Sequence, residues 1–293
     1  MATTGLSIVR GRRTGAQRIG GALGRIVLNI VLAVVAVVWL VPTVGLLLTS
    51  VRPLGDSTSS GWWTVFARPD LTLATYARLL GDSTILQSLW NTVVIAVPTT
   101  ILVALIGALA AYALAWIDFP ARNGVLLAVI VLLAVPLQTA FIPLARMFGG
   151  IGIFGSVYAV ILFHTAFGLP FAIFLLRNSF AQIPFEMIES AEIDGANALQ
   201  IFTRFMLPLG RPAIASLTIY QFLWTWNDML VALIFTDSTS QPITVAIQSQ
   251  LRAFSSNIDV LSAGAFLSMV VPLAVYFLFQ NYFERAILAG STK

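Results

Sequence analysis

The chain has 293 residues, 58% of them hydrophobic and only 10% charged, with a formal net charge of +4. No soluble domain of this length could hide that apolar fraction, so composition alone calls for an integral membrane protein. There is no cysteine and one histidine, His164, which excludes disulfides, thiol catalysis and any cysteine or histidine-cluster metal site. The arginines flank apolar runs and form no single patch, so nucleic acid is not an expected partner.

Met1 to Arg25 reads as a polar, basic tail carrying Arg10, Arg12, Arg13, Arg18 and Arg25. Residues 26–293 read as one all-α membrane domain of six transmembrane helices. The first runs from Ile26 to Leu48, about the 20 residues a bilayer requires. Residues 50–86 read as a polar loop whose Trp62, Trp63 and Tyr76 suit a membrane interface. Leu89 to Trp116 is the second span. A short turn, Asp118 to Asn123, leads into a third span from Gly124 to about Leu144. Gly149 to Gly155 reads as a tight turn before a fourth span, Ser156 to Leu176. Ala213 to Phe235 is the fifth span, 237–260 a polar loop, and Ser262 to about Tyr282 the sixth.

Between the fourth and fifth spans lies the longest charged interruption, Ile183 to Pro212. Pro184 suits the start of a helix, where its missing N–H does no harm. Glu186, Glu189 and Glu192 recur every three residues and share a face. Phe185, Ile188 and Ala191 form an apolar stripe beside them. Gly195, after Asp194, can take the left-handed conformation that ends a helix. Asn197 is placed to cap a second helix, with Gln200 at capping-box distance. Leu199, Phe202, Phe205 and Met206 would give that helix its apolar face, and Pro208 and Pro212 would end it. The stretch reads as two short helices joined by a glycine bend.

Six spans put both termini on one side. The tail, the 117–123 turn, the 177–212 loop and the C-terminus carry eleven of the Lys and Arg residues, against five in the opposite loops. The positive-inside rule then places both termini and the acidic loop in the cytoplasm.

Glu189-Ser190-Ala191, Asp194-Gly195-Ala196 and Leu207-Pro208 resemble the EAA motif of ABC-importer permeases, with Ser190 where that family usually has alanine. The resemblance implies that this loop docks into a cytoplasmic ATPase, and that Glu189, Ala191, Asp194, Gly195, Ala196, Leu207 and Pro208 make or hold that contact. Leu137-Gln138, the run Arg177 to Phe180 and Trp224 to Asp228 resemble maltose-type carbohydrate permeases of the MalG-like subunit. The run from Ala263 to Ser291 is similar to their α-glucoside branch. The resemblance implies a bacterial inner-membrane machine for an α-glucoside or similar oligosaccharide. It would comprise this chain, a second homologous permease, an ATPase dimer and an extracytoplasmic sugar-binding protein. No Walker A pattern occurs, so ATP hydrolysis is expected in a partner. The chain itself is not expected to be an enzyme or to hold a cofactor.

Polar groups inside spans mark either a path or a packed partner. Gln138, Asn227 and Asp228 are the candidates for the translocation path. Asp228 is expected to face an outward-opening, wetted cavity, and His164 to bond a neighbouring helix. The alternative function is a permease of the same superfamily for a non-sugar solute, such as glycerol phosphate or an amino acid. An unrelated membrane enzyme is disfavoured, because Asp228 is the only carboxylate within a span.

Overall fold

The structure, a computed structural model, describes the backbone of residues 15–253 and 258–291, and the side chains of 24–249 and 258–280. The basic tail up to residue 14 and the side chains of Ala289, Gly290 and Ser291 lie outside the described residues. Fourteen helices succeed one another among those described: α1 Gly15–Ser50, α2 Leu54–Ser59, α3 Ala74–Gly81, α4 Ser83–Trp116, α5 Arg122–Leu132, α6 Phe141–Gly150, α7 Val157–Phe180, α8 Phe185–Ile193, α9 Ala198–Ile201, α10 Leu207–Leu209, α11 Arg211–Trp226, α12 Leu230–Phe235, α13 Ile243–Ala253 and α14 Ile258–Ser291. Short 3-10 turns occupy Trp62–Phe66 and Leu137–Ala140, and a π-helical turn occupies Phe202–Met206.

Among the described residues, four helical stretches are long and apolar enough to cross a membrane: Gly24–Ser50, Ser83–Trp116, Val157–Phe180 and Ile258–Gln280. A fifth arises only if the bent pair Arg122–Leu132 and Leu137–Gly150 is taken as one span. The third span is therefore not the continuous helix that hydropathy predicts. It turns through 97° between the two halves, because Pro136 has no N–H to donate and forces the residue before it out of helical geometry. The stretch predicted as the fifth span, Ala213 to Phe235, is interrupted as well. Its helix stops at Trp226 and restarts at Leu230.

Two stretches read as loops are partly helical. Residues 50–86 contain α2, α3 and the Trp62–Phe66 turn, gathered around Arg52. Its guanidinium is buried and donates to the carbonyls of Asp56, Ser60 and Gly61 and to the hydroxyls of Ser60 and Thr64. A buried cation without such acceptors would be prohibitively costly. The 237–260 stretch contains α13, whose Ile243, Val245, Ala246 and Ile247 are buried. Gly149 and Gly150 close α6, so the tight turn is shorter than its glycines suggest.

The helix α4 is the spine, packed along α7 and α11, while α14 packs on α1, α11 and α13. Three buried clusters lie along the bundle. At one end Leu79, Ile85 and Ile243 pack together with Ala263. Ile95, Phe148, Phe163 and Phe235 form the second cluster. The third, at the α8 end, joins Tyr112, Phe180, Met206 and Leu217 to Ile188 and Ala191 of α8 and to Phe202. The ends of α4 are tied off locally: Asp82 accepts from the Thr84 N–H, and Arg122 folds back to donate to the carbonyls of Leu114 and Ala115 while pairing with Asp118.

Candidate functional site

The acidic segment is built from its caps. Helix α8 begins after Pro184 and ends in a Schellman motif. There Gly195 has φ +83°, its N–H donates to the Glu192 carbonyl, and the Ala196 N–H reaches back to Ala191 at 2.9 Å. No other atom lies where a Cβ of Gly195 would stand, so it is the backbone conformation that demands glycine. The next residue but one, Asn197, opens α9 with a reciprocal capping box: its side chain accepts from the Gln200 N–H at 2.9 Å, and Gln200 Oε1 accepts from the Asn197 N–H at 2.8 Å. Two caps back to back fix the angle of the bend.

One face of this segment is driven into the bundle. Ile188, Ala191, Ile201, Phe202 and Met206 are buried, each larger side chain contributing about 1.5–3 kcal/mol. The opposite face stays open: Glu186, Glu189, Glu192, Asp194 and Gly195 are all exposed. Ile193 is 81% exposed and Leu199 67%, so the knob bears apolar tips among its carboxylates. Phe185 and Leu199, expected on the buried stripes, are mostly outside. Between the two helices is a notch of about 330 Å³ lined by Asp194, Gly195, Gln200 and Arg204.

Pro208 and Pro212 do not terminate the second helix, and Pro212 stands in the first turn of α11. The chain widens into the π-helical turn, where the Leu207 N–H reaches Phe202, and Pro208 then sits in the first turn of α10. A widened turn gives the proline ring room that an α-turn denies it. The Gly210 N–H bonds Met206 and the Ile214 N–H bonds Gly210, so the path into α11 is nearly continuous.

Sequence reasoning missed Trp116. Its indole N–H donates to the Phe180 carbonyl at 3.0 Å, and its ring stacks on Phe185 with centroids 6.3 Å apart. One side chain thus touches the end of α4, the end of α7 and the start of α8. Nothing local in sequence marks it, since tryptophans at span ends usually serve the interface.

The three polar candidates of the spans separate. Gln138, on the 3-10 turn after the bend, and Asn227, whose amide donates to the Leu223 carbonyl, are not buried. Asp228 is not open: its side chain is 13% exposed. Its oxygens accept from the N–H groups of Val231 and Ala232, and one stands 3.4 Å from His164 Nε2. Its carbonyl accepts from the Thr244 hydroxyl. His164 is fully buried, and its ring meets Trp224 edge-on at 5.1 Å. The fifth-span break is thereby capped from one side and pinned from the other.

Residues 103–289 match the family model described as "Binding-protein-dependent transport system inner membrane component". The chain is 44% identical over 272 residues to the osmoprotective compounds uptake permease protein GgtD of Synechocystis sp., covering 91% of each. It is 46% identical over 239 residues to the alpha-glucoside transport system permease protein AglG of Rhizobium meliloti, covering 79% of this chain and 63% of that one. The crystal structure of a bacterial ABC transporter involved in the import of the acidic polysaccharide alginate shares its fold, with a TM-score of 0.77 at 24% identity over 93% of this chain and 99% of that one.

Proposed function

The chain belongs to the family of binding-protein-dependent transport system inner membrane components, and from that premise we propose how it works as a multi-pass permease subunit of an ATP-driven carbohydrate importer. The substrate is an α-glucoside or similar oligosaccharide, and the similarity to AglG supports that class. The chain forms half of the translocation path beside a second, homologous permease. An extracytoplasmic sugar-binding protein delivers the solute and an ATPase dimer supplies the stroke. Six crossings, with the interrupted α11–α12 as the fifth, put both termini and the acidic knob in the cytoplasm, in keeping with the arginine distribution.

The observation that carries the coupling role is the two-sidedness of the α8–α9 knob. Ile188, Ala191 and Phe202 are embedded in the cluster that also holds Phe180 and Leu217, whereas Glu189 and Ile193 stand free. A partner that grips the free side moves the ends of α7 and α11 with it. Glu189 offers charge to a basic cleft, Asp194, Gly195 and Ala196 set the bend, and Leu207-Pro208 passes the motion to α11. Gln138 and Asn227 face the path, and Asp228 holds the wall behind it.

A second reading, a small osmoprotective solute, is favoured by the similarity to GgtD. Uptake by the reconstituted complex of maltose against glycine betaine separates the two. The coupling role is tested with Gly195→Val. A β-branched residue held at positive φ loses about 1–2 kcal/mol, enough to shift the bend by roughly tenfold in population. The complex should assemble yet take up roughly tenfold less solute per ATP hydrolysed. Normal uptake per ATP in Gly195→Val would remove the knob from the coupling path.

A further inference from the structure

A recess of about 230 Å³ lies between the bent third span and helices α7 and α11. Leu132 and Leu133 form one wall, Phe171, Tyr220 and Trp224 the other, and Gln221 and Gly168 the floor. Gln221 is 1% exposed. Its amide nitrogen donates to the Thr225 hydroxyl at 3.0 Å, while its Oε1 is buried with no hydrogen-bond partner. Either orientation of the amide leaves one polar atom unpaired, since the hydroxyl can donate or accept. A buried polar group left so is worth about 1–3 kcal/mol to whatever completes it.

The rim decides what fills the recess. The N–H groups of Leu133, Ala134 and Val135 reach back only three residues, to Ile130, Val131 and Leu132, before Pro136 interrupts the ladder altogether. This irregular backbone is exposed on the chain's surface. At membrane depth such backbone is tolerated only against protein or a water-filled cavity, never against lipid. The recess therefore opens on water or on the second permease. An acyl chain would also leave the Gln221 acceptor unmet.

Gly168 brings α7 close at this level. A Cβ on it would stand 2.6 Å from Gln221 Oε1 and 3.1 Å from Val103, so any side chain there would displace the floor. The ring pair Phe171–Tyr220, with centroids 4.9 Å apart and tilted by 48°, lines the recess. A buried acceptor beneath aromatic walls is the chemistry that receives a pyranose: C–H faces on the rings, one hydroxyl on the amide. The volume is below the roughly 300–1,000 Å³ of pockets for drug-sized ligands, and so suits one sugar ring.

We infer that this recess is a transit subsite for a single hexopyranosyl unit, with Gln221 accepting from a sugar hydroxyl and Tyr220 and Phe171 stacking on the ring. The inference rests on the carbohydrate reading of the function and locates contact with the sugar in this subunit. It also relieves Asp228 of that task.

The chain has no cysteine, so Val135→Cys puts a single thiol at the mouth of the recess, and Leu132→Cys puts one further along the same wall; neither removes a residue proposed to hold the sugar. Each is assembled into the full importer, purified in detergent so that both faces meet solute, and alkylated with a charged methanethiosulfonate. The labelling is read by mass on this subunit. The protecting probe is whichever of maltose, trehalose or sucrose the unmodified complex imports. At ten times its Kd, that sugar should slow labelling about tenfold, by the factor 1 + [L]/Kd. Adding Gln221→Leu should raise that Kd about three- to tenfold, the equivalent of one hydrogen bond, and so cut the protection at the same sugar concentration to about two- to fourfold. Labelling that the imported sugar leaves unchanged at both positions overturns the subsite. So does labelling by a lipid-soluble maleimide alone, which puts the recess against lipid, or by neither reagent, which puts it under the partner. Import of none of the three sugars by the unmodified complex would instead refute the carbohydrate reading itself.

Discussion

The chain breaks its apolar helices twice, and the two breaks are finished differently. At Asn227–Met229 the freed N–H groups of Val231 and Ala232 find Asp228, Thr244 binds its carbonyl, and His164 stands behind it. At 133–136 the help is local and slight: the Thr139 hydroxyl bonds the Pro136 carbonyl, and the chain turns on Pro136 through 97° and leaves the corner exposed. One break is closed over by side chains from other elements, and the other is left as exposed backbone with only local bonds. A break that is sealed belongs to the scaffold. In the transport reading proposed above, a break left open belongs to the surface that meets solute.

The sharpest test removes the seal. Asp228→Leu strips a helix cap worth about 0.5–2 kcal/mol and leaves His164 buried beside an apolar chain. Assembled complex should fall severalfold, and uptake should fall in proportion to it. Asp228→Asn keeps an acceptor and should be milder. The measurement is uptake normalised to complex recovered from the membrane. A selective loss of uptake with full assembly of Asp228→Leu would place Asp228 on the path and erase the contrast.

The open break should respond the other way round. Pro136→Ala restores an N–H and lifts a helix penalty of about 3 kcal/mol, so the bend should relax without loss of assembly. Uptake per complex should fall severalfold, because the recess walled by Leu132 and Leu133 changes shape. If assembly falls as it does in Asp228→Leu, the corner at 133–136 is scaffold too.

The smallest effect tests the far end of the sealed segment. Beyond α12, Asp237 is fully exposed and accepts from the N–H groups and hydroxyls of Thr239 and Ser240, which lower its carboxyl to about 2. A depressed carboxylate stabilises the fold above its ordinary range and loses that contribution as pH falls through its folded value. The turn should therefore keep its amide protection from neutral pH to about 4 and lose it towards 2. Hydrogen exchange at Thr239 and Ser240 reads this directly. In Asp237→Ala the protection should already be absent at neutral pH.

Hydropathy and local caps carried much of this structure into the sequence. Gly195, Asn197 and Gln200 act within a few residues of one another, so spacing alone foretold the bend. The spans built by α4, α7 and α14 are apolar enough to be read by length. The breaks were not legible, because Pro136 looks like Pro98, Pro170 and Pro272, which all lie inside continuous helices. Pro170 is buried where α7 packs on its neighbours, whereas the last turn of α5 has no such cover. Gln221 passed unremarked in an apolar run because its meaning depends on Gly168, 53 positions earlier, having no side chain. Trp116 and Arg52 matter through partners that only the fold brings near.

The widened turn at Phe202–Met206 has a bearing on everything downstream. It accommodates one residue more than an α-helix would use for the same advance, and each residue turns a helix by about 100°. Because bonds from Gly210 and Ile214 carry the helical path on into α11, that extra residue sets the rotational phase of the whole of α11. Which side chains of α11 look into the bundle, and whether Gln221 meets Gly168 at all, is thus decided some fifteen residues earlier. A single deletion in the α8–α10 segment would turn a different face of α11 inward without touching one residue of that face.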